Sequence, residues 1–152
     1  GSYHYFLGEY AVAADYYGKA AALAAQDRTM WGNLADAVWQ IAERRPEALG
    51  YYRRAIGLAE RELAAGNQDA LLIAQLAYYC ARVGDRDRAA SHLARAMELD
   101  GNSPYVAYYG AIAMTARGDS AEASRLAKLA VANGYPQSLL DTDPLLGSAS
   151  AE

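Results

Sequence analysis

Two histidines, one cysteine and a few carboxylates are the side chains of this chain with obvious chemical potential. His4 and His92 have no cysteine or aspartate pair around them at the spacing a metal site needs. A lone histidine on a helix reads as structural or solvent-facing. Cys80 shares a helical face with Ile73, Leu76 and Ala77, which predicts a buried, inert thiol rather than a nucleophile. Asp141 and Asp143 have the look of a carboxylate pair for acid–base work, but in a proline-containing tail they read as caps of short helices. The run Asp85-Arg86-Asp87-Arg88 alternates in sign and reads as a solvated turn. No glycine-rich phosphate loop follows a strand, because no strand pattern is present. The expectation is a protein that is not an enzyme, with no catalytic residues, no metal and no cofactor.

Recognition is a better match to the residues than catalysis. Tyrosine makes up 13 of 152 residues against a single Phe, and four tyrosine pairs occur: Tyr16-Tyr17, Tyr51-Tyr52, Tyr78-Tyr79 and Tyr108-Tyr109. A tyrosine ring buries a large area and keeps a polar tip, the combination that dominates binding surfaces. The competing reading is that these rings pack between helices.

The elements that must carry them are helical hairpins. Ile73, Leu76, Ala77 and Cys80, then Ala89, Leu93, Ala96 and Leu99, recur at three and four residues on either side of Gly84-Asp85. That spacing puts each set on one face of a helix. Gly84 suits a left-handed helix end, and Asp85 or Asp87 places negative charge near the start of the next helix. A single hairpin cannot bury its own apolar face, so it predicts neighbours like itself. Turn glycines followed five residues later by alanine supply them: Gly8 and Ala13, Gly84 and Ala89, Gly118 and Ala123. A further unit without the turn glycine places Ala48 and Ala55 in the same pattern. Ala13 to Ala48 is 35 residues, Ala48 to Ala89 is 41, and Ala89 to Ala123 is 34.

A helix-turn-helix period of ~34 residues resembles that of the tetratricopeptide repeat. Residue types extend the likeness. Trp31, Leu34, Ala35 and Val38 look like the W-x2-L-G-x2-Y of its first helix; Tyr10, Ala13 and Leu23 with Tyr16-Tyr17 and Ala20 resemble its second. The resemblance covers about Tyr3 to Asn133. It implies an all-α, right-handed helix-turn-helix solenoid of about 3.5 repeats with a short C-terminal cap. It also implies a concave groove lined by first helices, where a protein or peptide segment would bind. The groove positions carry over as Asn33, Asp36, Trp39 and Gln40; then Leu71, Ala74, Gln75, Tyr78 and Arg82; then Tyr105, Tyr108, Tyr109, Ile112 and Thr115. The carboxylate-clamp version of the repeat needs Lys, Arg and two Asn along the groove. Only Asn33 and Arg82 fit it, and Tyr105 and Tyr109 stand where cations are wanted, so a clamp is not expected.

Composition narrows the partner classes. A net charge of −4 and a pI near 5.2 argue against nucleic acid, which needs a basic stripe. No apolar run reaches the ~18–20 residues that span a bilayer. Cys80 has no intrachain disulfide partner, and together these features lead to a cytoplasmic expectation with no membrane partner. Only Lys19 and Lys128 are lysines among 14 basic residues, a bias expected of a GC-rich bacterial genome.

In chain order, residues 1–2 read as a tag scar and 3–27 as a partial first repeat. Residues 28–66 form a second repeat with an extended second helix, 67–103 a third, 104–134 a fourth, and 135–152 a C-terminal cap and tail. A helix is expected over Ala11 to Gln26, and another from Asp27 to about Arg44 ahead of Pro46. The next runs on to Ala65 and ends at Gly66-Asn67. The tail pieces Tyr135 to Leu140 and Asp143 to Leu146 are expected to cover the last repeat. Tyr3 to Leu7 reads as the last turn of a truncated helix, leaving Tyr10, Tyr17 and part of the alanine face bare and open to self-association. The tail also looks like the ending of tetratricopeptide arrays in bacterial signalling proteins. That gives the alternative expectation of a regulatory or oligomerising segment attached to a kinase, a cyclase or a transcription regulator.

Overall fold

The structure, a computed structural model, describes residues 1–147. Among these the protein is all-α, with no strand. No described helix is long and apolar enough to cross a membrane. The chain forms two compact units, Gly1–Ala64 and Ala65–Glu152.

The first unit contains α1 (Ser2–Phe6), α2 (Tyr10–Leu23), α3 (Arg28–Trp39), a 3-10 turn (Ala42–Arg44) and α4 (Arg45–Ala64). Helices α1, α2, α3 and α4 pack in sequence, each on the next. Small side chains set the closeness of that packing: Ala13, Ala14, Ala21, Ala35, Ala37, Ala48, Ala55 and Ala59 are all buried, around Leu34, Val38, Tyr52 and Leu58. Trp31, the first residue of the repeat-like pattern in α3, is half-buried; its Nε1–H donates to the Ala25 carbonyl at 2.9 Å. Arg28 clamps both oxygens of Glu62 at 2.8 and 2.7 Å, tying the start of α3 to the end of α4.

Two helix ends differ from expectation. Helix α2 stops at Leu23 rather than Gln26, because Asp27 turns extended (φ −87°, ψ 106°) to cap α3 and accepts from the Thr29 N–H at 2.8 Å. Helix α3 stops at Trp39 rather than near Arg44. Ile41 is extended there, and the 3-10 turn then feeds α4, with Pro46 in its first turn. Arg45 Nε donates to the Trp39 carbonyl at 3.1 Å, so a side chain from the second helix satisfies an end carbonyl of the first.

The second unit contains α5 (Ala70–Arg82), α6 (Arg86–Asp100), α7 (Pro104–Arg117), α8 (Ser120–Ala132) and α9 (Gln137–Asp141). Helices α5 and α6 form one hairpin and α7 and α8 another; α7 packs on both helices of the first. Every helix of the two hairpins is capped by a short polar side chain. Asp69 accepts from Leu72 N–H (2.9 Å), Asp85 from Arg88 (3.2 Å), Ser103 from Val106 (3.3 Å) and Asp119 from Glu122 (3.2 Å). Both hairpin turns use a left-handed glycine, Gly84 at φ +84° and Gly118 at φ +85°. Gly110 solves a different problem. A β-carbon there would meet Leu93 Cδ1 at 2.9 Å and Leu126 Cδ1 at 3.1 Å, so glycine lets leucines of α6 and α8 close over α7.

Residues Leu72 to Ala81 are buried without a break, making α5 the central helix of this unit. Leu76, Leu93, Ala89 and Ala96 are core as the spacing implied, whereas Leu99, near the end of α6, is exposed. The tail folds back on the unit through Leu140, Leu145 and Leu146, all buried.

Candidate functional site

In the second unit α5 and α7 lie side by side and bring most of the candidate residues into one cluster. The Tyr78 and Tyr109 ring centres are 6.3 Å apart, and Tyr109 and Tyr108 are 5.3 Å apart, edge to face. Tyr108 stacks nearly parallel on Tyr135 at 4.7 Å, and Tyr105 meets the same Tyr135 edge-on at 6.0 Å. Gln75 Nε2 donates to the Tyr109 hydroxyl oxygen at 3.2 Å. Arg82 lies over the Tyr78 ring, 5.4 Å from its centre, and its Nε donates to the Tyr78 hydroxyl at 3.1 Å.

The members of this cluster differ in access. Gln75, Tyr78 and Ile112 are buried and act as packing. Arg82, Tyr108 and Tyr109 are half-buried, and Tyr105 is 57% exposed. Thr115 bonds back to the Ala111 carbonyl of its own helix at 2.9 Å. Side chains that present a surface are therefore Tyr105, Tyr109 and Arg82, backed by a buried floor. In the first unit Asn33, Asp36 and Trp39 are half-buried on α3. Asp36 accepts from the Tyr52 hydroxyl at 2.6 Å, and Trp39 is held edge-on to Tyr52 with the Arg45 guanidinium 5.2 Å from its ring centre.

Two residues of the tail join the cluster that the α5 and α7 positions alone did not reveal. The Tyr108 hydroxyl donates to Asp143 Oδ2 at 2.5 Å, and Asp143 Oδ1 accepts from the Leu145 N–H at 2.9 Å. Asp143 is thus buried within an internal bond network and caps a turn rather than one of the helices among the described residues. Asp141 is exposed at the end of α9 and accepts from Gln137 at 2.8 Å, so the two carboxylates do not work as a pair. The signal for Asp143 was its place two residues before Leu145, the spacing of an aspartate bonding its own backbone; nothing in the sequence named Tyr108 as its other partner.

Burial pushes the Asp143 carboxyl above its ordinary range, against the opposing pull of the Tyr108 and Leu145 bonds and of the nearby Arg82 charge. Burial likewise holds the Tyr108 phenol well above its usual value, with Asp143 adding to the effect. Tyr135 is raised to about 12, again mainly by burial. These phenols stay protonated at neutral pH. They offer hydroxyl donors and apolar ring faces, the chemistry of contact.

Elsewhere, His4 stacks on Tyr16 at 5.3 Å and bonds Glu9, and Cys80 is a buried thiol in no disulfide. Among the described residues no group of three or more His, Cys, Asp or Glu side chains is placed to hold a metal ion.

The class these observations define is an all-α protein of packed helical hairpins with a tyrosine-rich face on its second unit. No family model matches the chain, and no curated protein matches it.

Proposed function

We propose that this chain is a protein-interaction module of the tetratricopeptide type, binding a peptide or protein segment against the tyrosine face of α5 and α7. The observation that carries the reading is the cluster of Tyr105, Tyr109 and Arg82 standing partly exposed over a buried floor of Tyr78 and Gln75. Rigid aromatic and arginine side chains over a packed support are what interface hot spots consist of. The stacked hairpins, left-handed turn glycines and ~34-residue period support the repeat assignment. Affinity capture by the wild-type chain, compared with Tyr105→Ala and Arg82→Ala, tests it. Loss of specific captured proteins in both variants, with unchanged helical circular dichroism, is expected. Capture indifferent to both substitutions would remove the face from the assignment.

A second reading has its own observation. Tyr3 (72% exposed), Leu7, Val12, Tyr16 and Leu23 (91% exposed) leave the α1–α2 hairpin with uncovered apolar side chains. That favours a regulatory or oligomerising segment of a larger bacterial signalling protein, associating through this end.

A further inference from the structure

The tail of the chain sits against Tyr108, beside the face assigned above. Of residues 136–146, Pro136, Gln137, Ser138, Leu139, Asp141 and Thr142 point outward, while Leu140, Asp143, Leu145 and Leu146 are buried. The segment is therefore attached along one side only. Helix α9 has five residues, too few to hold itself together in water, and its first turn has no side-chain cap. It is joined to α8 through Asn133 and the left-handed Gly134 (φ +111°), a natural pivot. What fastens it is a short constellation: a side-chain oxygen on the Tyr108 hydroxyl, then leucines two and three residues further on. This is the arrangement of a short linear ligand on a helical surface, made within one chain.

We infer that the Tyr108 face of α7 is a binding site for a segment with a side-chain carbonyl oxygen (Asp or Asn) followed at the second and third positions by leucine. Residues 140–146 occupy that site in cis. The inference rests on the proposed interaction face and names the chemistry of its partner. Asp and Asn both qualify, because what the Tyr108 hydroxyl requires is an acceptor and burial disfavours the charge. The Arg82 charge pulls the other way, toward the ionised carboxylate. A tethered segment competes at an effective concentration of ~mM, so an outside ligand gains access only when the tail is weakened or the ligand outbids it.

A fluorescein-labelled peptide with the sequence of residues 137–147 tests this by anisotropy against the 152-residue chain. Wild-type protein should leave it unbound well below ~mM. The double variant Asp143→Ala/Leu145→Ala of the same chain, whose own tail is loosened, should bind it saturably. Adding Tyr108→Phe should weaken that binding about tenfold through loss of one hydrogen bond. A peptide carrying Asn at the Asp143 position should bind, and one carrying Ala there should not. A folded double variant that takes up no peptide would overturn the proposal. Hydrogen exchange on the wild-type chain decides independently should the double variant not fold. Amides of residues 137–147 opening ahead of α7 support the inference, and protection equal to that of α7 overturns it by making the tail a fixed part of the core. Peptide binding that fails while capture remains dependent on Tyr105 sinks this inference and leaves the interaction face standing.

Discussion

The Tyr52 hydroxyl donates to Asp36 Oδ1 at 2.6 Å, joining a fully buried ring of α4 to a carboxylate on α3. Half-buried Asp36 is thereby engaged by its own unit's α4, although the repeat pattern places it on a binding surface. Tyr52→Phe keeps the ring and deletes the donor. Hydrogen bonds to charged groups contribute about 1.5–3 kcal/mol, and the loss of stability should fall in that range. Urea denaturation measures it; an unchanged midpoint would show that water replaces the hydroxyl at no cost.

In the second unit Leu76 is completely buried on the central helix. Leu76→Ala should cost about 2–5 kcal/mol through lost burial and a residual cavity. Gly84→Val tests a different mechanism. A β-carbon at Gly84 meets nothing within 4 Å, so any loss reports the left-handed backbone alone. About 1–3 kcal/mol is expected, with Gly84→Asn losing less because Asn tolerates that conformation. Equal thermal midpoints for Val and Asn would contradict this cause.

Docking of the tail should strengthen on mild acidification. The Asp143 carboxyl is raised in the folded state, chiefly by burial, so the docked tail binds its proton more readily than the free one. Docking stability therefore rises as pH falls through the raised folded value. It stops rising near the ordinary aspartate range of ~3.9. Site-resolved hydrogen exchange of residues 137–147 separates this from Glu47, whose carboxyl Arg44 and Tyr51 hold down to about 2 and whose contribution runs the other way. Larger tail protection factors, corrected for the intrinsic rise of exchange with pH, at neutral pH than at pH ~5 would reverse the assigned sign.

Association through the α1–α2 end should be concentration-dependent. Leu7, just after α1, and Leu23, the last residue of α2, are exposed, and Leu23→Glu with Leu7→Glu should convert any dimer to monomer without loss of helicity. Sedimentation velocity across a concentration series provides the readout. A wild-type chain that stays monomeric throughout removes the second reading.

Local rules carried much of the fold into view. The apolar spacing around Gly84 marked α5 and α6, and Asp27, Asp85 and Ser103 took their cap positions, because turns and caps depend on a few adjacent residues. The early stop of α3 at Trp39 was not legible, since it depends on Arg45 reaching back to a carbonyl six residues away. The candidate face was legible only as a roster of positions. Helical spacing assigns Tyr78, Ile112, Tyr105 and Tyr109 to α5 and α7 without distinguishing a ring that floors the cluster from one that faces water.

By itself the sequence determined an all-α chain, its helical hairpins, most of their ends and the tyrosine-rich stretches, because periodicity and capping are short-range properties. Tertiary structure alone decided which tyrosines are buried and that Tyr108 bonds Asp143, 35 residues away. The physical reason is that burial and side-chain pairing between distant elements depend on which helices end up adjacent. α7 presents Tyr105 and Tyr108 with the same residue type, and only the docked tail makes one of them a half-buried donor and leaves the other open.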